Sequence, residues 1–180
     1  MTMSAPALDP AFVLTYFGTL TAELVLDILA DLLKTPANEA LVVKVATQFS
    51  EQLTPEELIK LFEGSPSKSY NGLYYYLGAI VNSSENKSVH YKYIVAAANL
   101  KQFKEVERVC RDSTVYDPVA VRDFLLDAKL PDPRPLIHVC DRFGFVEELT
   151  SYLYANKLQK VRERWGRDVA RASRRRCSRG

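Results

Sequence analysis

The chain contains few glycines and no long apolar run. Its seven glycines in 180 residues are too few for the many turns of a β-sandwich or barrel, and most of its nine prolines stand where a helix is predicted to begin. The longest apolar stretch, Leu73–Val81, is too short to span a membrane, and Met1–Ala7 lacks the pattern of a secretion signal. An all-α class without a secretion signal or a membrane helix is therefore expected.

Cysteine is also scarce. Cys110, Cys140 and Cys177 form no spaced disulfide framework. Cys110 and Cys140 fall on apolar helix stripes, where a cysteine acts as a small apolar residue. This usage is typical of a reducing compartment.

Histidine is limited to His90 and His138, and no Ser, Cys or carboxylate stands at a spacing that marks a nucleophile and its base. His138 and Cys140 are two positions apart on a predicted helix, so they point in different directions and cannot bind one ion. His138 and Asp141 share a face, which we interpret as a surface hydrogen bond. We therefore expect no catalytic, cofactor or metal site, no small-molecule substrate and no enzyme activity.

Charge is unevenly distributed along the chain. Residues 161–180 contain eight arginines against Glu163 and Asp168, whereas residues 1–160 carry a net charge of −4. The body therefore gives no electrostatic reason to expect nucleic acid. The tail, with Trp165 as an aromatic anchor, is open to two interpretations: a segment that binds polyanions, or the end of a frameshifted or misread gene without a function.

An apolar pattern occurs twice, 43 residues apart. Both copies are spaced by threes and fours, as on one helix face, and both break midway, around Lys101 and around Gly144. Each copy therefore predicts two antiparallel helices joined by a short turn. Such a pair must stack on a neighbour, as in HEAT or TPR repeats, so we expect an α-α superhelix, a solenoid of stacked helix pairs. The matched positions are Ile94, Ala97, Leu100, Phe103, Val106, Val109 and Cys110, then Ile137, Cys140, Phe143, Val146, Leu149, Tyr152 and Leu153.

Helix start and stop signals predict ten helices. The clearest start is Thr54-Pro55-Glu56-Glu57, a capping box with proline in the first turn. The predicted ranges are Pro10–Phe17, Ala22–Lys34, Asn38–Gln52, Pro55–Glu63, Tyr70–Val81, Val89–Asn99, Phe103–Asp112, Val119–Lys129, Leu136–Phe143 and Val146–Asn156.

Aromatic residues cluster between Tyr70 and Tyr76. A binding groove is one interpretation of the cluster. Core packing is favoured, because Tyr70, Leu73, Tyr74 and Leu77 form one helical stripe with Tyr75 and Tyr76 at its border.

Several local segments together resemble the leg of the clathrin heavy chain. The closest are Lys104–Arg111, Tyr116–Pro118, Val139–Phe143 and Leu153–Lys160. Tyr16–Gly18, Leu77–Asn82 and His90–Ile94 are similar to the same leg further upstream, in the same order. The resemblance covers about Leu8–Lys160.

The resemblance implies a structural segment of the distal (ankle) part of the leg. Full-length clathrin heavy chains scaffold vesicle coats in endocytosis and intracellular protein transport. The implied partners are other heavy-chain legs, with attachment to membranes through adaptors. The implied location is cytoplasmic, at the cytoplasmic face of coated pits and coated vesicles. The leg-like repeat of a vacuolar tethering (HOPS-type) subunit is the alternative, although the Tyr116–Pro118 and Val139–Phe143 blocks favour clathrin.

The expected domain organisation is a disordered lead at residues 1–8, a solenoid at 9–160, and a basic, disordered and unrelated tail at 161–180. The β-propeller, the light-chain-binding region and the trimerisation hub of the family have no counterpart in the sequence. We therefore expect a truncated segment that is monomeric or weakly self-associating.

Overall fold

The computed structural model describes residues 15–50, 52–65 and 70–156. A helical turn at residues 15–17 is followed by α1 (Ala22–Leu32), a 3₁₀ turn (Pro36–Asn38), α2 (Glu39–Gln48), α3 (Pro55–Gly64), α4 (Tyr70–Ile80), α5 (Lys87–Asn99), α6 (Phe103–Asp112), α7 (Pro118–Ala128), α8 (Arg134–Phe143) and α9 (Val146–Ala155). No strand occurs in these three ranges, which confirms the predicted all-α class.

The described chain forms two compact units, divided between Asp117 and Pro118. In the first unit α1 contacts α2 and α3, α4 contacts α2, α3 and α5, and α5 also contacts α3 and α6. In the second unit α8 contacts both α7 and α9. Contacts with the next helix and the next but one are the pattern of stacked helix pairs. The boundaries predicted at residues 8 and 160 lie outside the described residues.

The capping box at the start of α3 is confirmed. The Thr54 hydroxyl accepts from the Glu57 amide at 3.4 Å, and the Thr54 amide donates to the Glu57 carboxylate at 3.2 Å. Both interactions satisfy amides that the first helical turn cannot pair internally.

Two helix ends were predicted too far along the chain by two or more residues, and the ends of α4, α7 and α9 by one residue. α1 ends at Leu32 rather than Lys34 because the amides of Lys34 and Thr35 bond three residues back, in tighter turns. α2 ends at Gln48 rather than Gln52, because the Phe49 carbonyl accepts from the amides of residues 52 and 53 and turns the chain there. The 3₁₀ turn at Pro36–Asn38 was not predicted.

The 43-residue repeat is present in the backbone. Lys101 and Gly144, which correspond under the shift, both adopt the left-handed conformation, with φ of 59° and 78°. The Gln102 amide donates to the Ala97 carbonyl at 2.8 Å, and the Phe145 amide donates to the Cys140 carbonyl at 3.0 Å. The donors and the acceptors are again 43 residues apart, so α5–α6 and α8–α9 share one helix-ending turn.

Burial follows the repeat closely. Val106 and Cys110 are buried in α6, as are Leu149 and Leu153 in α9. Val109 is buried as well, but its counterpart Tyr152 is only half-buried. The same apolar face therefore forms the core in both copies, with one position less covered in the second.

The aromatic stripe of α4 is centred differently from the prediction. Tyr76, expected at the border, is fully buried together with Leu73 and Leu77, whereas Tyr70 is exposed and Tyr74 half-buried. α4 packs on α2 and α3 at Gly72, whose lack of a side chain allows the close approach. This contact turns the face with Tyr76 inward. The Gly72 amide donates to the Glu39 carboxylate at 2.7 Å.

Candidate functional site

His90 is the centre of a polar cluster in the first unit. Its side chain is buried in α5, with Nε2 2.8 Å from the Ser84 carbonyl oxygen and Nδ1 3.0 Å from the Ser113 hydroxyl. The Ser113 hydroxyl oxygen also accepts from the Val115 amide at 3.2 Å. Nε2 donates to the Ser84 carbonyl oxygen, because a carbonyl can only accept, and Nδ1 shares a hydrogen bond with the Ser113 hydroxyl.

The cluster joins two loops to α5. Ser84 lies between α4 and α5, and Ser113 follows α6. A depression of about 350 Å³ lies over the cluster, lined mainly by residues 81–85 and 112–115. Both ring nitrogens of His90 are occupied by structural partners, so the arrangement holds loops and supplies no catalytic base.

A second polar network links α4, α5 and α6. The Tyr93 hydroxyl donates to Glu105 at 3.1 Å, and Arg108 pairs with the same carboxylate at 2.9 Å. Arg108 also donates to the Asn82 side chain at 3.2 Å. Tyr93 stacks on Tyr74, with ring centroids 5.3 Å apart. The pKa of Tyr93 is raised well above its usual value, chiefly by burial.

Arg122 organises the second unit. Its guanidinium lies 4.5 Å from the centre of the Phe145 ring and 2.9 Å from the Glu148 carboxylate, and it also pairs with Asp123. The cation therefore connects α7 to the turn before α9 and to α9 itself. No motif marked Arg122 in the sequence. The one available signal was that Arg122 lies one helical turn from the buried Leu125. That spacing did not indicate which side chain Arg122 would contact.

Both cysteines in the described part of the chain are buried. Cys110 and Cys140 lie on the inner faces of α6 and α8, as their helix stripes predicted. Burial raises the pKa of the Cys140 thiol to about 12, Glu148 adds to the rise, and Arg122 opposes it. An un-ionised, covered thiol is a poor nucleophile or metal ligand.

His138 lies near Asp132, whose pKa is lowered mainly by hydrogen bonds from Arg134 and slightly by His138. The predicted His138–Asp141 pair stays a prediction. Within residues 15–50, 52–65 and 70–156, no cluster of three or more His, Cys, Asp or Glu side chains could hold a metal ion. The expected absence of catalytic, cofactor and metal sites over the whole chain also stays a prediction.

The remaining candidate for function is the outer surface. Large apolar side chains are exposed on several helices, among them Tyr75 on α4 and Tyr154 on α9, which are 64% and 74% exposed. No described helix is both long and apolar enough to cross a membrane. Stacked helix pairs of this kind present extended surfaces, which repeat proteins use to bind other proteins.

Comparison with known proteins identifies the family. Residues 46–175 match the family model named Clathrin, described as the region in clathrin and VPS. The chain belongs to this family of helical repeats. The matched range passes Lys160 and enters the arginine-rich segment, and the boundary predicted there stays a prediction.

The chain is also similar to individual clathrin heavy chains. It is 50% identical to clathrin heavy chain 2 of Oryza sativa subsp. japonica over 159 residues, and 51% identical to the clathrin heavy chain of Dictyostelium discoideum over 154 residues. Clathrin heavy chain 2 of Homo sapiens is 48% identical over 158 residues. These alignments cover 84–87% of this chain but only 9–10% of each relative.

Proposed function

We propose that this chain is a structural leg segment of a clathrin-type vesicle coat. The observation that carries the proposal is the near 50% identity to clathrin heavy chains along 87% of the chain. The same helix pair with the same turn occurs twice in the described residues. Stacking of such repeats creates an extended surface. The reported relatives are all clathrin heavy chains, which favours a coat over a tethering complex.

In this function the segment acts by its form and its surface. Tyr93, Glu105 and Arg108 hold neighbouring helices in register, and Arg122 does the same in the second unit. Exposed side chains such as Tyr75 and Tyr154 are available to neighbouring legs. The partners are other heavy-chain legs, and the place of action is the cytoplasmic face of coated pits and coated vesicles. Attachment to the membrane falls to adaptors that bind elsewhere on the full-length protein.

A chimeric heavy chain tests the proposal. The 154-residue segment of the Dictyostelium heavy chain that aligns with this chain is replaced by the aligned residues, and assembly is measured by sedimentation and electron microscopy. We expect the chimera to enter cages, because the helix pairs and the core are shared. A chimera that resists trypsin like the parent heavy chain but stays out of cages would contradict the proposal.

Two substitutions serve as matched controls within the same helix. Val106→Asp places a carboxylate in the core of α6 and should abolish assembly of the chimera. Lys104→Ala changes an exposed side chain two positions away and should leave assembly unchanged. Equal behaviour of the two variants would show that assembly does not depend on the fold of the segment.

A further inference from the structure

Three hydroxyl residues of the chain stand directly before a proline: Thr35, Thr54 and Ser65. A serine or threonine followed by proline is the pattern that proline-directed protein kinases phosphorylate, so the sequence offers three equivalent candidates. A kinase modifies a hydroxyl only where the side chain is accessible and the backbone around it fits the kinase cleft in an extended conformation. The structure separates the three candidates by these two requirements.

Thr35 meets both requirements. It lies in the turn between α1 and α2, where the four consecutive residues Lys34–Ala37 are all exposed. Its backbone is extended, with φ of −110° and ψ of 113°, as expected for a residue before proline. Within the described residues its hydroxyl makes no capping hydrogen bond. The Thr35 hydroxyl can therefore be modified without loss of a capping interaction.

The turn around Thr35 is held by groups other than this hydroxyl. The Thr35 amide donates to the Leu32 carbonyl at 3.1 Å, and the Thr35 carbonyl accepts from the Asn38 amide at 3.0 Å. The Asn38 side chain donates to the same Leu32 carbonyl at 3.4 Å. Because these bonds use the backbone and Asn38, the turn keeps them when the hydroxyl is esterified.

The hydroxyls of Thr54 and Ser65 are engaged in the fold. The Thr54 hydroxyl donates to the Glu57 carboxylate at 2.7 Å and accepts from the Glu57 amide at 3.4 Å. Ser65 is buried, and its hydroxyl donates to the Leu33 carbonyl at 3.3 Å. Modification of Thr54 requires the capping box to break, and modification of Ser65 requires the core to open.

We propose that Thr35 is a phosphorylation site for a proline-directed serine/threonine kinase. In the transfer, the Thr35 Oγ1 forms a bond to the γ-phosphorus of ATP, the bond from that phosphorus to the oxygen bridging it to the β-phosphorus breaks, and ADP leaves with the electron pair. The hydroxyl proton passes to the catalytic base of the kinase. The phosphate adds a charge of about −1.5 to −2 to the turn between α1 and α2.

A cation lies next to Thr35 in the chain. The Lys34 ammonium pairs with the Asp31 carboxylate at 2.6 Å, and both side chains are largely exposed. An exposed pair of this kind contributes little to stability, so Lys34 is available to the stronger charge of a phosphate. Phosphorylation then changes the charge of this surface without unfolding α1 or α2, which is what reversible control of a protein contact requires.

Phosphorylation of the purified full chain tests the proposal. The chain is incubated with ATP and a proline-directed kinase, and the phosphate on each site is followed over time by mass spectrometry. Synthetic peptides around the three sites are the unfolded references. The rate in the chain relative to the rate in the peptide should be several-fold higher for Thr35 than for Thr54 or Ser65. Equal ratios at the three sites, or no phosphate on Thr35, would overturn the proposal.

Paired variants test the physical reason. Pro36→Ala should abolish phosphorylation of Thr35, whereas Pro55→Ala, the same change at another site, should leave it unchanged. Glu57→Ala removes the carboxylate that holds the Thr54 hydroxyl and should make phosphorylation of Thr54 several-fold faster, with no effect on Thr35. Phosphate that still appears on Thr35 in Pro36→Ala would show that the proline does not direct the kinase, and would overturn the proposal.

Discussion

Tyr76 is a fully buried residue whose hydroxyl has no hydrogen-bond partner in the described part of the chain. Its ring stacks on Phe62, with centroids 5.9 Å apart, so the ring contributes to the core while the hydroxyl is left unsatisfied. A buried polar group without a partner loses its hydration and gains nothing in return. Burial raises the pKa of Tyr76 to about 12, and the charge of Glu56 adds to the rise.

Removing this hydroxyl should stabilise the protein. We expect Tyr76→Phe to raise the free energy of unfolding by about 1 kcal/mol, measured by urea denaturation, because it removes an unsatisfied group and keeps the ring. Tyr93→Phe should have the opposite effect, since the Tyr93 hydroxyl donates to Glu105. Tyr75→Phe, at an exposed position, is the neutral control. A destabilising Tyr76→Phe would show that the hydroxyl has a partner.

At the scale of elements, the turns that end α5 and α8 are equivalent but have different residues in the left-handed position. Lys101 ends α5 with φ of 59°, where Gly144 ends α8 with φ of 78°. A residue with a Cβ pays about 1–2 kcal/mol for the left-handed conformation, and glycine does not. A Cβ added at Gly144 would meet no atom within 4 Å, so the difference between the two turns is conformational rather than steric.

Exchanging the two residues should therefore change stability in opposite directions. We expect Lys101→Gly to stabilise the protein by roughly 0.5–1 kcal/mol after the entropy of the unfolded glycine is subtracted, and Gly144→Lys to destabilise it by a similar amount. Chemical denaturation of both variants gives the two values. The idea fails if Lys101→Gly lowers the midpoint.

The contact of α4 with α2 and α3 depends on Gly72. A Cβ there would lie 2.8 Å from both the Glu39 carboxylate oxygen and the Phe62 ring. We expect Gly72→Ala to cost about 1–3 kcal/mol, which outweighs the better helix propensity of alanine. Gly64→Ala, where a Cβ meets nothing, is the matched control and should be neutral or stabilising. Thermal unfolding followed by circular dichroism distinguishes the two.

The whole molecule should lose stability at alkaline pH. Burial raises the pKa of Cys140 from 9.0 to about 12 and that of Tyr76 from 10.0 to about 12, so the folded state binds these protons more tightly than the unfolded state. The contribution of these two groups to the free energy of unfolding is complete below about pH 9 and is lost as the pH rises towards 12. Denaturation between pH 8 and 11 measures this, and Tyr76→Phe should flatten the decline above pH 10.

A metal should make no contribution to the fold of the whole chain. The sequence offers no spaced ligand set, so we expect EDTA to leave the thermal midpoint unchanged. A fall of several degrees would reveal a ligand set that neither the sequence nor the described residues display.

The sequence by itself determined the class of the fold, most helix starts and the repeat. These depend on local chemistry: the Thr54 capping box pairs within one turn, and apolar residues spaced by threes and fours select one helix face whatever that face meets. The inner faces around Val106 and Leu149 followed directly from this spacing. The family resemblance could be found in the sequence for the same reason, because it depends on short stretches of consecutive residues.

Only the tertiary structure decided which neighbour each side chain meets. Tyr76 is central and Tyr70 exposed because α4 approaches α2 and α3 at Gly72. His90 holds Ser84 and Ser113, and Arg122 joins Phe145 to Glu148, across separations of up to 26 residues. Helical spacing specifies a direction around one axis, whereas the partner on the other side depends on how loops bring distant helices together. That arrangement is settled by the packing of the whole core.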